Sequence, residues 1–191
     1  MSVGTKVRLR PKRLDDTRED YCWQTDPELS DLDAVSPLRL SYTEYVEEYH
    51  NQLRHPSAVR CNFAIETLDG RHIGNCVYYN IDREKSEAEV GIMVGNRDYW
   101  NQGYGADAMT ALVDYIFRHT DFKRLYLKTL EKNLRAQRSF RKVGFNPSGH
   151  MERDGYKFVL MEMTRSQWLE LNTRNKKPAR DDLPSFVQQR Q

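Results

Sequence analysis

The chain has 191 residues, of which 38% are hydrophobic and 30% are charged, and a formal net charge of +2. This length suits one domain with a sizeable core. No apolar run approaches the ~20 residues that span a bilayer, and no signal-peptide core precedes the first predicted strand, so we expect neither a membrane segment nor export. Lysine and arginine are dispersed without interleaved aromatic residues, which gives no indication of nucleic-acid binding.

The cysteine pattern is typical of a protein from a reducing compartment. Cys22, Cys61 and Cys76 have no metal-ligand spacing and make an odd count. Free thiols in the cytoplasm are the default interpretation of such a pattern. We therefore predict a cytoplasmic protein with no metal site.

In chain order, the N-terminal third predicts a strand, two helices and a hairpin. Residues 7–10 form the strand, and a helix over 15–24 stops before Asp26-Pro27, because the residue before proline resists helical geometry. Ser41, with Glu44 three residues later, makes a capping box that starts the second helix. The hairpin of 62–67 and 72–80 turns at Leu68-Asp69-Gly70.

Residues 87–117 predict a strand, a glycine-rich turn and a helix. Alternating residues over 87–94 fit a strand in a covered sheet, and helical spacing of apolar residues begins after Gly103. Gly103 and Gly105 let the backbone approach a ligand closely, and the free N–H groups of the first helical turn attract an anion. We therefore predict a phosphorylated ligand at this turn.

The rest of the chain predicts a fifth strand over 124–129, a helix over 134–143 ended by Gly144, and a hairpin of 145–151 and 156–163. From residue 173 onward the sequence is polar and interrupted by prolines. We predict one domain over 1–172 and a flexible tail over 173–191.

Three kinds of glycine loop could hold the phosphate. A P-loop needs Lys-Ser or Lys-Thr after its last glycine, where this chain has Ala106 and Asp107. A dinucleotide loop needs a third glycine, where this chain has Ala108. A coenzyme A pyrophosphate loop fits Gly103-x-Gly105, although Trp100 stands where that loop usually has Arg or Gln.

Two sequence blocks resemble the GNAT superfamily of acyl-CoA-dependent N-acetyltransferases. The first is GIMVGNRDYWNQGYGADAM, and the second is TLEKNLRA followed by SFRKVGF. Tyr-Trp before the loop and Gly-Tyr-Gly in it are similar to the branch that acetylates ribosomal-protein N-termini. The resemblance covers residues 6–165.

The resemblance implies an α/β (α+β) fold, with a mixed, mostly antiparallel sheet of about seven strands flanked by helices. It implies acetyl transfer from acetyl-CoA, as co-substrate, to a primary amine by direct attack in a ternary complex. A protein N-terminus is the favoured acceptor, and a polyamine or aminoglycoside is the alternative. A non-catalytic coenzyme A-binding module and a nucleotide-binding protein are the rival hypotheses. A homodimer is a further partner hypothesis.

The resemblance also assigns the cofactor contacts. The strand over 87–94 should splay from the strand over 124–129 and hold pantetheine in the gap. The backbone groups of Ile92, Met93 and Val94 are assigned to the pantetheine amides. The pyrophosphate is assigned to the N–H groups of Gln102, Gly103, Tyr104, Gly105 and Ala106. Asn133 is assigned to pantetheine or the leaving thiol. Asn133 could instead cap a helix. Arg138 and Lys142 are candidates for the adenosine 3′-phosphate or plain surface charges.

The catalytic assignments concern a base for the amine and an acid for the departing thiolate. Glu89 is the candidate base for the amine, acting through water, and the alternative is an ordinary paired or solvated side chain. Phe140 stands where many GNAT enzymes have a tyrosine that protonates the departing thiolate. Tyr78, Tyr79 and Ser139 are candidate substitutes.

Charge is unevenly distributed along the chain. Residues 14–50 contain 11 Asp and Glu against Arg18 and Arg39, a net charge of −9, so the remainder carries +11. In an acyl-CoA enzyme the basic part would face the cofactor phosphates and the acidic part a cationic amine. The other interpretation is that exposed helices are simply charged.

Overall fold

A computed structural model describes residues 2–176 of the chain. The strands are β1 (Ser2–Val3), β2 (Val7–Pro11), β3 (Arg60–Thr67), β4 (His72–Asp82), β5 (Glu87–Val94), β6 (Arg124–Leu130), β7 (Asn146–Arg153) and β8 (Tyr156–Thr164). The helices are α1 (Thr17–Thr25), α2 (Pro27–Leu32), α3 (Tyr42–Arg54), α4 (Tyr104–His119), α5 (Leu134–Val143) and α6 (Arg165–Lys176).

The strands form one sheet in the order β1-β2-β3-β4-β5-β6-β8-β7. Every neighbouring pair is antiparallel except β5 and β6, which are parallel. The predicted mixed, mostly antiparallel sheet flanked by helices is confirmed. The sheet has one strand more than expected, because the two-residue β1 pairs with β2 at the edge.

Helix α4 packs its predicted apolar stripe against one face of the sheet. Met109, Leu112 and Ile116 are completely buried in the main core cluster, which also contains Ala88 and Val90 of β5. This contact fixes the N-terminus of α4 beside the end of β5, where the glycine-rich turn lies.

The segment before β3 contains α1, α2 and α3, of which α2 was not predicted from the sequence. A 3-10 turn at Leu14–Asp16 precedes α1. At Asp26-Pro27, where we predicted only a stop, α2 begins, because the Asp26 side chain accepts the N–H groups of Glu28 and Leu29 and proline occupies the first turn. The capping box of Ser41 and Glu44 is confirmed at the start of α3.

The C-terminal helix α6 packs Trp168 against Phe117 of α4, with ring centroids 5.4 Å apart. It runs through Lys176, so the predicted boundary at residue 172 falls within it. The rest of the predicted tail, 177–191, lies outside the described residues. Within the described part of the chain, no helix combines the length and apolar character needed to cross a membrane.

Candidate active site

The strands β5 and β6 pair at only three positions and then separate. The last pair joins Glu89 and Tyr126. Beyond it, the outer half of β5 has no partner on the β6 side among the described residues, which is the predicted splay.

Backbone direction along β5 decides which groups face this gap. Gly95 donates its N–H to the carbonyl of Ile73, at 3.0 Å on the β4 side. Because backbone groups alternate in direction along a strand, those of Val94 and Ile92 face the gap, while those of Met93 face β4. All three predicted residues line the cleft, but the pantetheine amides could pair only with the backbone of Ile92 and Val94.

A cleft of about 400 Å³ occupies the gap. Its walls come from α2, from β5, from the turn before α4, and from α5. The predicted residues in its lining are Ile92, Met93, Val94, Gly103, Gly105, Ala106, Asn133, Arg138, Ser139, Phe140 and Lys142. The structure therefore brings together most of the predicted cofactor contacts, although they come from three separate segments.

The turn before α4 has the geometry of an anion site. Asn101 and Gly103 both have left-handed backbone conformations, with φ of 59° and 84°, and Gly103 is the N-cap residue of α4 without a side-chain cap. Within residues 2–176, the N–H groups from Gln102 to Ala106 have no well-formed backbone acceptor. Such a set of amides at a helix N-terminus fits a pyrophosphate.

Two of the five predicted loop residues contribute only their backbone. The Gln102 side chain turns back to donate to the carbonyl of Asp98. The Tyr104 ring lies edge-on to Tyr99, with centroids 4.9 Å apart. Neither residue lines the cleft, so any ligand contact from them would come through their amides.

Trp100, the departure from the usual loop pattern, ties the loop to the sheet. Its indole N–H donates to the carbonyl of Val94 at 2.6 Å, and the Arg135 guanidinium stacks 3.5 Å from its ring centroid. The Trp100 ring thereby links the turn before α4, the end of β5 and the first turn of α5. Sequence reasoning treated this residue as a missing Arg or Gln and did not anticipate the link or the role of Arg135.

Helix α5 supplies the basic wall. Asn133 caps this helix, its side-chain oxygen accepting the Ala136 N–H at 3.1 Å, and its amide nitrogen remains available to the cleft. The capping alternative is thus observed, and a ligand contact is compatible with it. Arg138 lies in the lining with Arg135 and Lys142, which places three cations beside the proposed phosphate loop.

Glu89 is buried, and both of its carboxylate oxygens have partners. Its side chain accepts hydrogen bonds from the Tyr79 hydroxyl at 2.7 Å and from the Asn80 amide at 2.8 Å, and it forms an ion pair with Lys128 at 3.0 Å. It lies at the last β5–β6 pair but not in the cleft lining. Burial, followed by the hydrogen bond to Glu89, raises the pKa of Tyr79 well above its usual range.

The candidate residues for protonating the departing thiolate lie in different parts of the structure. Phe140 is buried and lines the cleft beside Ser139. Tyr78 lies in the core, where its ring stacks on Phe63, and Tyr79 is occupied with Glu89. Among the predicted substitutes, only Ser139 reaches the cleft.

Helix α2 contributes another part of the cleft lining. Leu29, Leu32 and the following Asp33 contribute to the lining. One end of α2 is held by ion pairs from Arg97 to Asp26 and Glu28, and the other by a Lys132–Asp31 pair at 2.7 Å. Because the sequence did not predict α2, none of these lining residues was a candidate.

Residues 6–146 match the family model for the acetyltransferase (GNAT) domain. The chain belongs to the GNAT acetyltransferase family. It is therefore an N-acetyltransferase that uses acetyl-CoA as co-substrate, in agreement with the loop and the basic wall.

Two of its sequence relatives are N-acetyltransferases by name. An uncharacterised N-acetyltransferase, p20 of Bacillus licheniformis, is 25% identical over 75% of this chain and 81% of its own length. The spermine/spermidine N(1)-acetyltransferase of Bacillus subtilis strain 168 is 24% identical over 50% of this chain and 66% of its own length.

Solved structures share the GNAT fold at low sequence identity. Vibrio cholerae spermidine N-acetyltransferase, in complex with CoA and spermine, is 20% identical and aligns with a TM-score of 0.75 over 85% of this chain and 98% of its own. The aminoglycoside acetyltransferase AAC(6')-Ib, in complex with coenzyme A, is 19% identical with a TM-score of 0.72, over 87% and 99% of the two chains.

Proposed function

We propose that this GNAT protein acetylates a primary amine of a small polycation, of the polyamine or aminoglycoside class. The observation that carries this proposal is the division of charge across the cleft. The acidic segment 14–50 folds as α1, α2 and the start of α3, and its α2 end brings the carboxylate of Asp33 into the cleft, while α5 contributes the cations Arg135, Arg138 and Lys142. A carboxylate in the cleft attracts a cationic acceptor, and the cations of α5 attract the cofactor phosphates.

The named relatives support the same class, because they include spermine, spermidine and aminoglycoside acetyltransferases. The protein N-terminus, which we favoured from the Tyr99-Trp100 pattern, has weaker support. Trp100 has a structural role in the loop that is independent of the acceptor, so its presence does not indicate a peptide substrate.

The reaction needs a neutral amine. The amine nitrogen attacks the thioester carbonyl, the carbon–sulfur bond breaks, sulfur leaves with the electron pair, and the amine loses a proton to a base. An alkyl amine with a pKa of ~10.4 is neutral in about one molecule in 2,500 at pH 7. A base or a desolvating site is therefore required. We assign the base role to Glu89, acting through a water at the start of the gap.

Backbone groups and α5 position the other reactant. Ile92 and Val94 would hold the pantetheine amides, and the amides from Gln102 to Ala106 the pyrophosphate. Asn133 would offer its amide nitrogen to pantetheine or to the departing sulfur. Arg138, with Arg135 and Lys142, would pair with the remaining phosphate charge.

A thiol-release assay with acetyl-CoA tests the proposal. We expect turnover with spermidine, spermine or kanamycin, and at least tenfold lower kcat/KM with peptides that begin with alanine or serine. Turnover of peptides alone would transfer the assignment to protein N-termini. A rise in melting temperature with CoA, without thiol release from any acceptor, would identify a binding module.

A further inference from the structure

Asp33 is the single acidic side chain in the lining of the cleft among the described residues. Most other acids of α1, α2 and the turn before α1 already have basic partners. The pairs are Asp16 with Arg10, Asp20 with Lys12, Asp26 and Glu28 with Arg97, and Asp31 with Lys132. The Asp33 carboxylate, by contrast, has no hydrogen bond or ion pair within residues 2–176.

The backbone fixes Asp33 at this position. It is the C-cap residue of α2, and its N–H donates to the carbonyls of Leu29 and Ser30, both at 3.1 Å. The ion pair between Asp31 and Lys132 holds the same end of the helix against the start of α5. The carboxylate is therefore placed by a capped and anchored helix end.

The surroundings of Asp33 favour a cationic ligand. The residue is exposed to solvent, and partial loss of hydration in the cleft raises the pKa of its carboxyl, against the opposing charges of Arg60 and Lys128. A carboxylate with reduced hydration and no partner gains more from an approaching ammonium group than a fully solvated one. The cationic residues Arg135, Arg138 and Lys142 of α5 belong to the same lining.

We propose that Asp33 binds a non-reacting ammonium group of the acceptor and so selects substrates with two or more amines. This inference rests on the proposed function. An ion pair stabilises the protonated form of an amine, so Asp33 would hinder the attacking nitrogen if it paired with it. A second ammonium, which stays charged throughout the reaction, meets no such conflict. Asp33 is thus a specificity-determining residue rather than the base.

The test compares Asp33→Asn with the parent on spermidine and on n-butylamine, which has a single amine. We expect kcat/KM for spermidine to fall at least tenfold, mainly through KM, while n-butylamine and acetyl-CoA keep their parental constants. Asp15→Asn is the matched control, because Asp15 is exposed, unpaired in the described structure and outside this cleft. Thermal unfolding confirms that both variants are folded.

Equal losses on the diamine and the monoamine, or no loss, would overturn the role of Asp33. Calorimetric titration of spermidine into the CoA-bound protein separates this result from failure of the proposed function. If the parent acetylates peptides only, weaker spermidine binding by Asp33→Asn still supports the ammonium site. Undetectable binding to the parent, or unchanged binding by the variant, rejects it.

Discussion

Glu89 has two roles to distinguish, that of the proposed catalytic base and that of a structural hydrogen-bond acceptor. Its carboxylate lies where β5 and β6 part, close to where the thioester is expected, but both oxygens already accept hydrogen bonds from protein groups. A carboxylate oxygen has two acceptor sites. The oxygen that accepts the Tyr79 hydroxyl also pairs with Lys128, so a water can bind only to the oxygen that accepts the Asn80 amide. The base role and the structural role therefore predict different responses to substitution.

For Glu89→Gln, we expect kcat to fall about 10²-fold or more while acetyl-CoA affinity stays nearly unchanged. Part of the activity should return at higher pH, where more of the amine is deprotonated without help. Pre-steady-state thiol release across pH 6–10, with calorimetry for CoA, measures both quantities.

The matched control for this change is Tyr79→Phe, which removes one donor but keeps the carboxylate. It should retain most of the rate if the carboxylate is the base. Parental activity of Glu89→Gln at pH 7 would remove Glu89 from the mechanism. Equal losses of activity and of folded protein in both variants would make it a structural residue.

The role of a side chain was predictable from the sequence only where its partner lies a few residues away in the chain. The capping alternative for Asn133 depends on the amide three residues later, and the structure shows that bond. Trp100 reaches β5 and α5, and Asp33 reaches the cleft because α2 lies over it. Neither contact leaves a pattern in the surrounding residues, so sequence reasoning gave Trp100 only a family comparison and Asp33 no role.

At the scale of elements, the N-terminus of α4 gives a direct test of the anion site. Gly105→Glu would place a negative charge where free amides face the cleft, and we expect CoA affinity to fall at least tenfold, or about 1.4 kcal/mol. A Cβ at this position makes only an ordinary 3.5 Å contact with Val94, so the domain should stay folded. Calorimetric titration with CoA measures the change.

Gly105→Ala provides the matched comparison, because it adds the Cβ without the charge. The coenzyme A loop pattern accepts alanine at this position, so near-parental affinity is expected. Normal CoA binding by the glutamate variant would place the pyrophosphate elsewhere.

Some elements were predictable and others were not, for identifiable reasons. Helix α5 and strand β5 have the predicted bounds, since the residue periodicity defines the strand, and an Asn cap and a terminal glycine flank the helix. Helix α2 was missed because Asp-Pro can end one helix or begin another. The second outcome occurs here, since the Asp26 side chain caps the amides that follow proline. Helix α6 was also missed, because its apolar residues form no clear stripe, although Thr164 and Gln167 form a capping box at its start.

Across the whole molecule, buried carboxylates link stability to pH. Burial raises the pKa of Asp16, but hydrogen bonds from Arg10 and from the Arg13 amide outweigh it and lower the pKa below its ordinary value of 3.8. Burial also raises the pKa of Glu66, and bonds from Arg10 and Arg8 lower it overall. Groups with lowered pKa values stabilise the folded state above their unfolded pKa, and this contribution is lost as pH falls through the folded value. We therefore place the acid-sensitive range below about pH 4.5.

Asp107 offers the clearest test of this linkage. Its carboxylate accepts the N–H groups of Thr5, Lys6 and Val7 at 2.8–3.0 Å and so joins the N-terminal segment to α4. Burial raises its pKa, but these amides outweigh that effect and lower it. Asp107→Asn should lower the free energy of unfolding at pH 7 by about 1–3 kcal/mol, because its amide would face two N–H donors.

The same variant should depend less on pH below about 4.5, since it lacks one titrating group. Urea unfolding at several pH values measures both effects, with Asp15→Asn as the exposed control. Parental stability and an unchanged acid slope in Asp107→Asn would contradict the linkage.

The family resemblance predicted the overall fold and the splay of β5 from β6, but not the position at which the two strands separate. The parallel pairing of β5 and β6 ends after three positions, a result of long-range packing that no local pattern specifies. The acidity of segment 14–50 was visible as charge composition, while the entry of Asp33 into the cleft depends on the position of α2.

The stacking of Arg135 on Trp100 also gives the protein an intrinsic optical reporter. Of the three tryptophans, Trp23 and Trp168 lie outside the lining of the cleft, and only Trp100 is part of it. A guanidinium over an indole alters its emission, so a ligand that draws Arg135 onto a phosphate would change the fluorescence of Trp100 alone. The other two indoles would add a constant background to the emission. Ligand occupancy could therefore be followed in the unmodified chain, without a label or a coupled assay.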